Sequence, residues 1–248
     1  MPLAELTSAL KQVRWSPSSK TSVLFHSLNI AHGFHGKSDA HPPTSLAPHY
    51  PKQVHGTTIL AMNHDQDFHG PLRPEADGIY TQTSGSAAIA IRTADCLPVL
   101  AAATTKNFAA AIHAGWRGLT AGILHHAVNL SSQSGALENT RFVIGPAISR
   151  EMFEVGPEVV DAMMAPACGL PETAQALAIA KGRGDRWHVD LQVAAACQLL
   201  ASGIPPTNIE VIRACTFLDT DRHDQQKIWN SYRRDGAGCA SNWSWIKL

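Results

Sequence analysis

The chain is an α+β protein with mixed, largely antiparallel sheets, and three features of its sequence predict this. Apolar runs of strand length recur at 58–62, 87–91, 98–103, 108–112, 141–144, 208–213 and 243–247. Helical periodicity falls between these runs irregularly, whereas a doubly wound parallel sheet needs a helix after each strand. The polar segment Thr104-Thr105-Lys106-Asn107 is short enough to join two antiparallel strands as a hairpin loop. No Pro/Gly/Ser-rich linker divides the 248 residues, so one domain with one large core is expected.

Taken in order, Leu3, Leu6, Leu10 and Val13 repeat at helical spacing and predict a short amphipathic helix that stops before Ser16-Pro17. Residues 1–22 are thus read as a helical extension and 23–248 as the domain proper. Residues 23–30 read as a strand and 31–51, with His32, His35, Lys37, His41 and His49, as an irregular loop. His55-Gly56 leads into the strand at 58–62, residues 65–76 read as loop, and Asp77-Gly78-Ile79-Tyr80 as a turn entering a strand. Gly115-Trp116-Arg117-Gly118 opens a helix over 119–130. A second helix spans 158–164, where Pro157 suits the first turn, and a third spans 193–200. Residues 166–186 carry no readable period.

Charge is balanced at 20 basic against 20 acidic residues, which argues against the broad positive field of a nucleic-acid or anionic-membrane binder. The five cysteines are unevenly spaced and include no CxxC pair, so neither a disulfide framework nor a zinc finger is indicated. The N-terminus lacks the apolar core of a signal peptide, and no window approaches the ~20 apolar residues of a membrane span. A soluble, cytoplasmic protein acting on a small molecule, as a monomer or homodimer, is the expectation.

The candidate chemistry lies between residues 89 and 119. Asp95 and Cys96 sit at the break between two apolar runs, and a third run delivers His113. If 99–103 pairs with 108–112, Cys96 and His113 lie beyond the same open end of the hairpin and share a site. Alone, they fit a nucleophilic thiolate with a histidine base, part of a zinc site, or a buried thiol beside a core histidine. Gly115 and Arg117 at the following helix start also fit an anion site, against the alternative of a tight turn with Trp116 as core.

A set of motifs then narrows the choice: QVHG at 53–56, ADG at 76–78, TADCLPV at 93–99, AAIHAGWRGL at 110–119, IGPAI and FEVGPEV within 144–159, VDL at 189–191, ACT at 214–216 and SYRRDG at 231–236. In this order, over residues 23–248, they resemble the laccase-domain family, also called polyphenol oxidases and multifunctional purine nucleoside phosphorylases. The resemblance implies mixed sheets sandwiched by helices and a metal site of His55, Cys96 and His113. Three such ligands suit tetrahedral Zn2+ with an open position, and a thiolate with two imidazoles also suits Cu2+.

It further implies phosphate-dependent cleavage of purine nucleosides to base and ribose 1-phosphate, with adenosine deamination and methylthioadenosine phosphorolysis as companion reactions. Lys37, Gln53, Arg117 and Arg233 are then the candidates for phosphate or ribose contacts, and Asp95 for an acid/base or an orienter of the site. Lys37 stands where the family usually has an arginine, and Ala237-Gly238-Cys239 replaces its usual Thr-Gly-Arg. The competing readings are a copper-dependent phenol oxidase, a metal-free Cys/His hydrolase that needs no His55, and a non-catalytic binding protein.

Overall fold

The helical period at the N-terminus forms α1 (Leu3–Gln12), which buries Leu6 completely. In the computed structural model, all residues are described except 38, 40–45, 63–67, 69, 71, 86, 104 and 106. His41, much of the loop expected over 65–76 and half of the expected four-residue hairpin loop therefore lie outside the described residues. After α1 the chain enters β1 (Arg14–Pro17). The first 22 residues, read as a helical extension, thus also contribute a strand.

Residues 23–35 differ from expectation: the predicted strand over 23–30 is α2 (Val23–Ser27), and part of the predicted loop is β2 (Ala31–His35). The cause is distant in sequence. Ser22 caps the helix by accepting from the Phe25 amide, while the buried Glu210 carboxylate accepts from the Val23 and Leu24 amides at 3.2 and 2.8 Å. Amides that a strand would have given to a neighbour are satisfied there at a helix start.

Strands β3 (Ile59–Ala61), β4 (Gly78–Thr81), β5 (Ile89–Thr93), β6 (Leu97–Ala103) and β7 (Phe108–Ala114) fall close to the apolar runs. The helix expected over 119–130 is two, α3 (Trp116–Thr120) and α4 (Ile123–Gln133), broken at Gly122, whose φ of 88° is left-handed. There follow β8 (Arg141–Ile144), β9 (Glu154–Val155), α5 (Pro157–Met164), α6 (Glu172–Ala178), β10 (Ile179–Lys181), β11 (Trp187–Val189), α7 (Leu191–Ala201), β12 (Ile209–Arg213), α8 (Tyr232–Asp235) and β13 (Asn242–Lys247).

The described strands form a seven-stranded sheet ordered β1-β12-β8-β6-β7-β4-β3 and two three-stranded sheets, β10-β11-β9 and β2-β13-β5. Both small sheets are antiparallel, and in the large one the β1-β12, β12-β8 and β4-β3 pairs are parallel. The class is therefore α+β with mixed sheets, as expected.

Side-chain alternation along the central hairpin separates two cores. Leu97, Val99, Ala101 and Ala103 of β6, with Phe108, Ala110 and Ile112 of β7, pack under helices α1, α4, α5 and α7. Leu100, Ala102, Ala109 and Ala111 face the other way, toward Phe34, Ile89, Ile91 and Ile246 of the β2-β13-β5 sheet and Phe25 of α2. Every residue of β6 and β7 is buried, so these strands form the rigid floor on which the site is placed.

Candidate metal centre

The register of the β6-β7 hairpin puts Pro98 opposite His113 and Leu97 opposite Ala114, which leaves Cys96 and His113 at one open end as the apolar runs predicted. His55 arrives from the loop before β3. The ligand atoms of His55, Cys96 and His113 all lie within 4.8 Å of one another, with Cys96 Sγ 4.0 Å from His55 Nε2. The two imidazole rings stand nearly perpendicular, at 80°, with centroids 4.9 Å apart.

Asp77, which sequence reasoning left without a role, assembles this group. Its carboxylate is fully buried. One oxygen accepts from the His55 amide and from His113 Nδ1, both at 2.8 Å, and the other accepts from the Val54 and Gly56 amides at 3.3 and 2.6 Å. The Asp77 carbonyl accepts from the His113 amide at 2.7 Å. One residue therefore closes the His55 loop, holds His55 in a left-handed conformation (φ 62°) and, by taking His113 Nδ1, turns the other ring nitrogen, Nε2, toward Cys96. The signal in sequence was the ADG motif, whose aspartate precedes the strand that pairs with β7.

Charge in the group is coupled. Burial pushes the Cys96 thiol up, but hydrogen bonding to His113 and His55 and the charges of both rings outweigh it and bring it down to about 6. Burial likewise depresses His113, while Asp77 and Cys96 together raise it to about 9. Near neutral pH the pair holds a thiolate and an imidazolium, so a cation entering here displaces the proton on His113.

The residues present fit a metal ion. The donors are one soft thiolate and two imidazoles, each imidazole with a nitrogen free of backbone hydrogen bonds. Gly115 leaves the space: a Cβ there would stand 3.0 Å from Cys96 Sγ, 3.2 Å from His55 Cδ2 and 3.4 Å from His113 Nε2. Among the described residues this is the one group of three or more such side chains at metal-site spacing.

The group opens into a cavity of about 430 Å³ that Gln53, Asp95, Phe153, Tyr232, Arg233 and Cys239 also line. Asp95, held at φ 90°, has both carboxylate oxygens engaged: one accepts from Thr216 Oγ1 at 2.6 Å, the other from Ser231 Oγ at 3.1 Å and the Arg233 amide at 2.7 Å. It ties the TADC turn to the start of α8. Gln53 spends its amide on the backbone of Arg92, accepting at 2.8 Å and donating at 2.7 Å, and so fastens the His55 loop to β5.

Arg233 donates to the carbonyls of Met152 and Glu154 and lies over the Phe153 ring. Arg117 stacks on Trp116 at 4.3 Å and lines a neighbouring cavity of about 280 Å³, which shares Phe153 and Arg233 with the first. Lys37 is exposed, its amide donates to the Ile228 carbonyl, and it lines neither cavity. Six of the eight residues singled out from sequence thus converge on one cavity, with Arg117 beside it and Lys37 apart.

A sequence model of the family described as multi-copper polyphenol oxidoreductase laccase matches residues 40–248, and the chain belongs to that family. Among curated relatives, the purine nucleoside phosphorylase of Xylella fastidiosa strain Temecula1 is 33% identical over 201 residues, covering 80% of this chain and 72% of that protein. The purine nucleoside phosphorylase YfiH of Escherichia coli K12 is 34% identical over 203 residues, covering 80% and 74%. The adenosine deaminase RL5 of an unknown prokaryotic organism is 28% identical over 172 residues, covering 67% and 64%. In fold, the chain is similar to the Bacillus licheniformis hypothetical protein YfiH, with a TM-score of 0.77, 23% identity and coverage of 89% and 93%.

Proposed function

We propose that this protein is a zinc-dependent purine nucleoside phosphorylase with companion adenosine deaminase activity. The observation that carries the reading is the His55, Cys96 and His113 group, held by Asp77 at the mouth of a cavity of about 430 Å³. The names of the relatives, phosphorylases at 33% and 34% identity and a deaminase at 28%, supply the substrate class.

In phosphorolysis a phosphate oxygen bonds to ribose C1′ as the bond from C1′ to the purine nitrogen breaks, and the base leaves with the bonding pair and takes up a proton. When bound, the metal supplies a Lewis acid at the open end of the β6-β7 hairpin. The chain's own residues position the reactants. Phe153 and Tyr232 provide apolar and aromatic surface for a base, while Arg233, its guanidinium braced on two carbonyls, presents positive charge to an anion. Asp95, with both oxygens occupied, acts as a positioning residue that keeps Arg233 and Cys96 in register. Arg117, rigid on Trp116, faces the adjoining cavity as a further anion contact.

A copper phenol oxidase is the nearest rival, given the family's description. Oxygen reduction by several coppers needs more than one ligand cluster, and a single one stands among the described residues. The deciding experiment assays purified protein on a panel of nucleosides and phenols, with and without phosphate, with product identification and metal analysis. Ribose 1-phosphate formed only with phosphate present is the expected result. Phenol oxidation by the copper-loaded protein with no nucleoside cleavage would overturn the proposal.

A further inference from the structure

Next to the metal pocket lies a second cavity, of about 280 Å³, whose lining takes Gln53 from the QVHG motif and is otherwise outside the family motifs. It shares Gln53, Arg92 and Ser241 with the metal pocket and is otherwise lined by Tyr50, Lys52 and Arg73, with Pro51. Among the described residues, every charged side chain in this lining is cationic. Lys52 is paired with Glu75 at 2.8 Å. Arg73 and Arg92 have no carboxylate partner among the described residues: Arg73 donates to the Gly70 carbonyl at 3.2 Å, and Arg92 reaches Ser241 Oγ at 3.4 Å. Arg73 Nε is buried and has no hydrogen-bond partner among the described residues.

The two guanidinium groups are brought together by design of the fold. Arg73 lies 4.3 Å and Arg92 5.9 Å from the centre of the same Tyr50 ring. Tyr50 packs edge-on against Trp243 with ring centres 4.8 Å apart, and Trp243 in turn carries Arg92 at 5.6 Å. Arg92 and Trp243 are cross-strand partners of the β5-β13 ladder, so the sheet sets their spacing. Gln53 clamps the Arg92 backbone from the other side. Two like charges against one aromatic ring, with a buried donor that no described residue pairs, are stabilised by an anion seated between them.

We infer that this cavity is an oxyanion subsite that takes a phosphate group, opening onto the metal pocket across Arg92. The phosphate has two possible sources: free inorganic phosphate, or a phosphate ester on a molecule whose base and sugar occupy the metal pocket. Only the second source rests on the nucleoside reading given above.

The test is calorimetric binding to metal-loaded protein at fixed, low ionic strength, with three probes: inorganic phosphate, a purine nucleoside 5′-monophosphate and the parent nucleoside. Arg73→Gln and Arg92→Gln should each weaken a phosphate-bearing probe by about tenfold, the scale of one charged hydrogen bond, and leave metal content unchanged. Weakening confined to inorganic phosphate assigns the first source, and weakening confined to the monophosphate, with the parent nucleoside unaffected, assigns the second. Unchanged affinity for both phosphate-bearing probes in the two variants overturns the inference. Arg92 is exposed on its strand, so its variant decides the matter alone if Arg73→Gln fails to fold. Because binding is read without turnover, absence of phosphorolysis in the panel above leaves this result standing or falling by itself.

Discussion

Asp77 and Glu210 are both fully buried carboxylates, and in each of them both oxygens accept two hydrogen bonds. Each also lies close to a buried histidine. Around Glu210 the donors are Ser16 and Ser22 hydroxyls with the Val23 and Leu24 amides, and the nearby His32 spends both ring nitrogens locally, accepting from the Ser22 amide at 2.7 Å and donating to the Ile30 carbonyl at 2.8 Å. Around Asp77 three amides and one imidazole are satisfied, yet His113 turns its Nε2 to the Cys96 thiol, beside His55, and not to the backbone.

The two histidines titrate in opposite directions in consequence. Burial holds His32 below its ordinary value, whereas Asp77 and Cys96 lift His113 to about 9 against the same force. A buried carboxylate by itself therefore marks structure, and a histidine it holds whose second nitrogen meets a thiol, with no backbone partner, marks chemistry.

The largest effect that breaks the comparison falls on the ligands. Changing His55, Cys96 or His113 to Ala should take bound metal from stoichiometric to trace levels and abolish phosphorolysis and deamination together. The His55→Ala/His113→Ala double variant should be scarcely worse than either single one, since ligands act as a unit. Metal analysis with nucleoside assays checks this, and full activity of metal-free His55→Ala would sink the metal hypothesis.

Glu210→Ala should act the other way. It orphans the Val23 and Leu24 amides and two buried hydroxyl partners, costing about 3 kcal/mol of stability, while the folded fraction keeps its metal and its activity. Denaturant unfolding beside metal content separates the two regions. Asp77→Asn should lower metal affinity by about 10- to 100-fold, because the amide no longer fixes the His113 tautomer. Competition with a chromophoric chelator measures that loss, and an affinity equal to wild type would remove Asp77 from the site.

The smallest effect is on acid stability. Burial pushes the Glu210 carboxyl up, but the Leu24 amide and the Ser16 and Ser22 hydroxyls hold it below 4.5, its ordinary value. A folded-state pKa that is lowered contributes stability above the unfolded value and loses it as pH falls through the folded value. Stability of the wild type should therefore decline as pH drops below about 4.5, and Glu210→Gln should flatten that part of the profile.

Much of this was legible in the sequence. The apolar runs marked the β6-β7 hairpin and its open end, because strands buried on both faces must be continuously apolar, and Cys96 and His113 are where those runs stop. His55 needed the motif resemblance, since a lone His-Gly before a strand has no distinctive period. What only the tertiary structure decided came from partners far apart in the chain. Residues 23–27 are apolar and strand-like by composition, yet Glu210, 186 residues from Leu24, makes them a helix start by accepting their amides. Gln53 became a strut rather than a free amide because β5 runs beside it. The roles of Asp77, Asp95 and the Arg73-Arg92 pair likewise depend on which donors and rings the sheets bring within a few ångströms. Local periodicity determines which residues enter the core, but a polar group's task is set by the partners that meet it in space, and no local pattern records them.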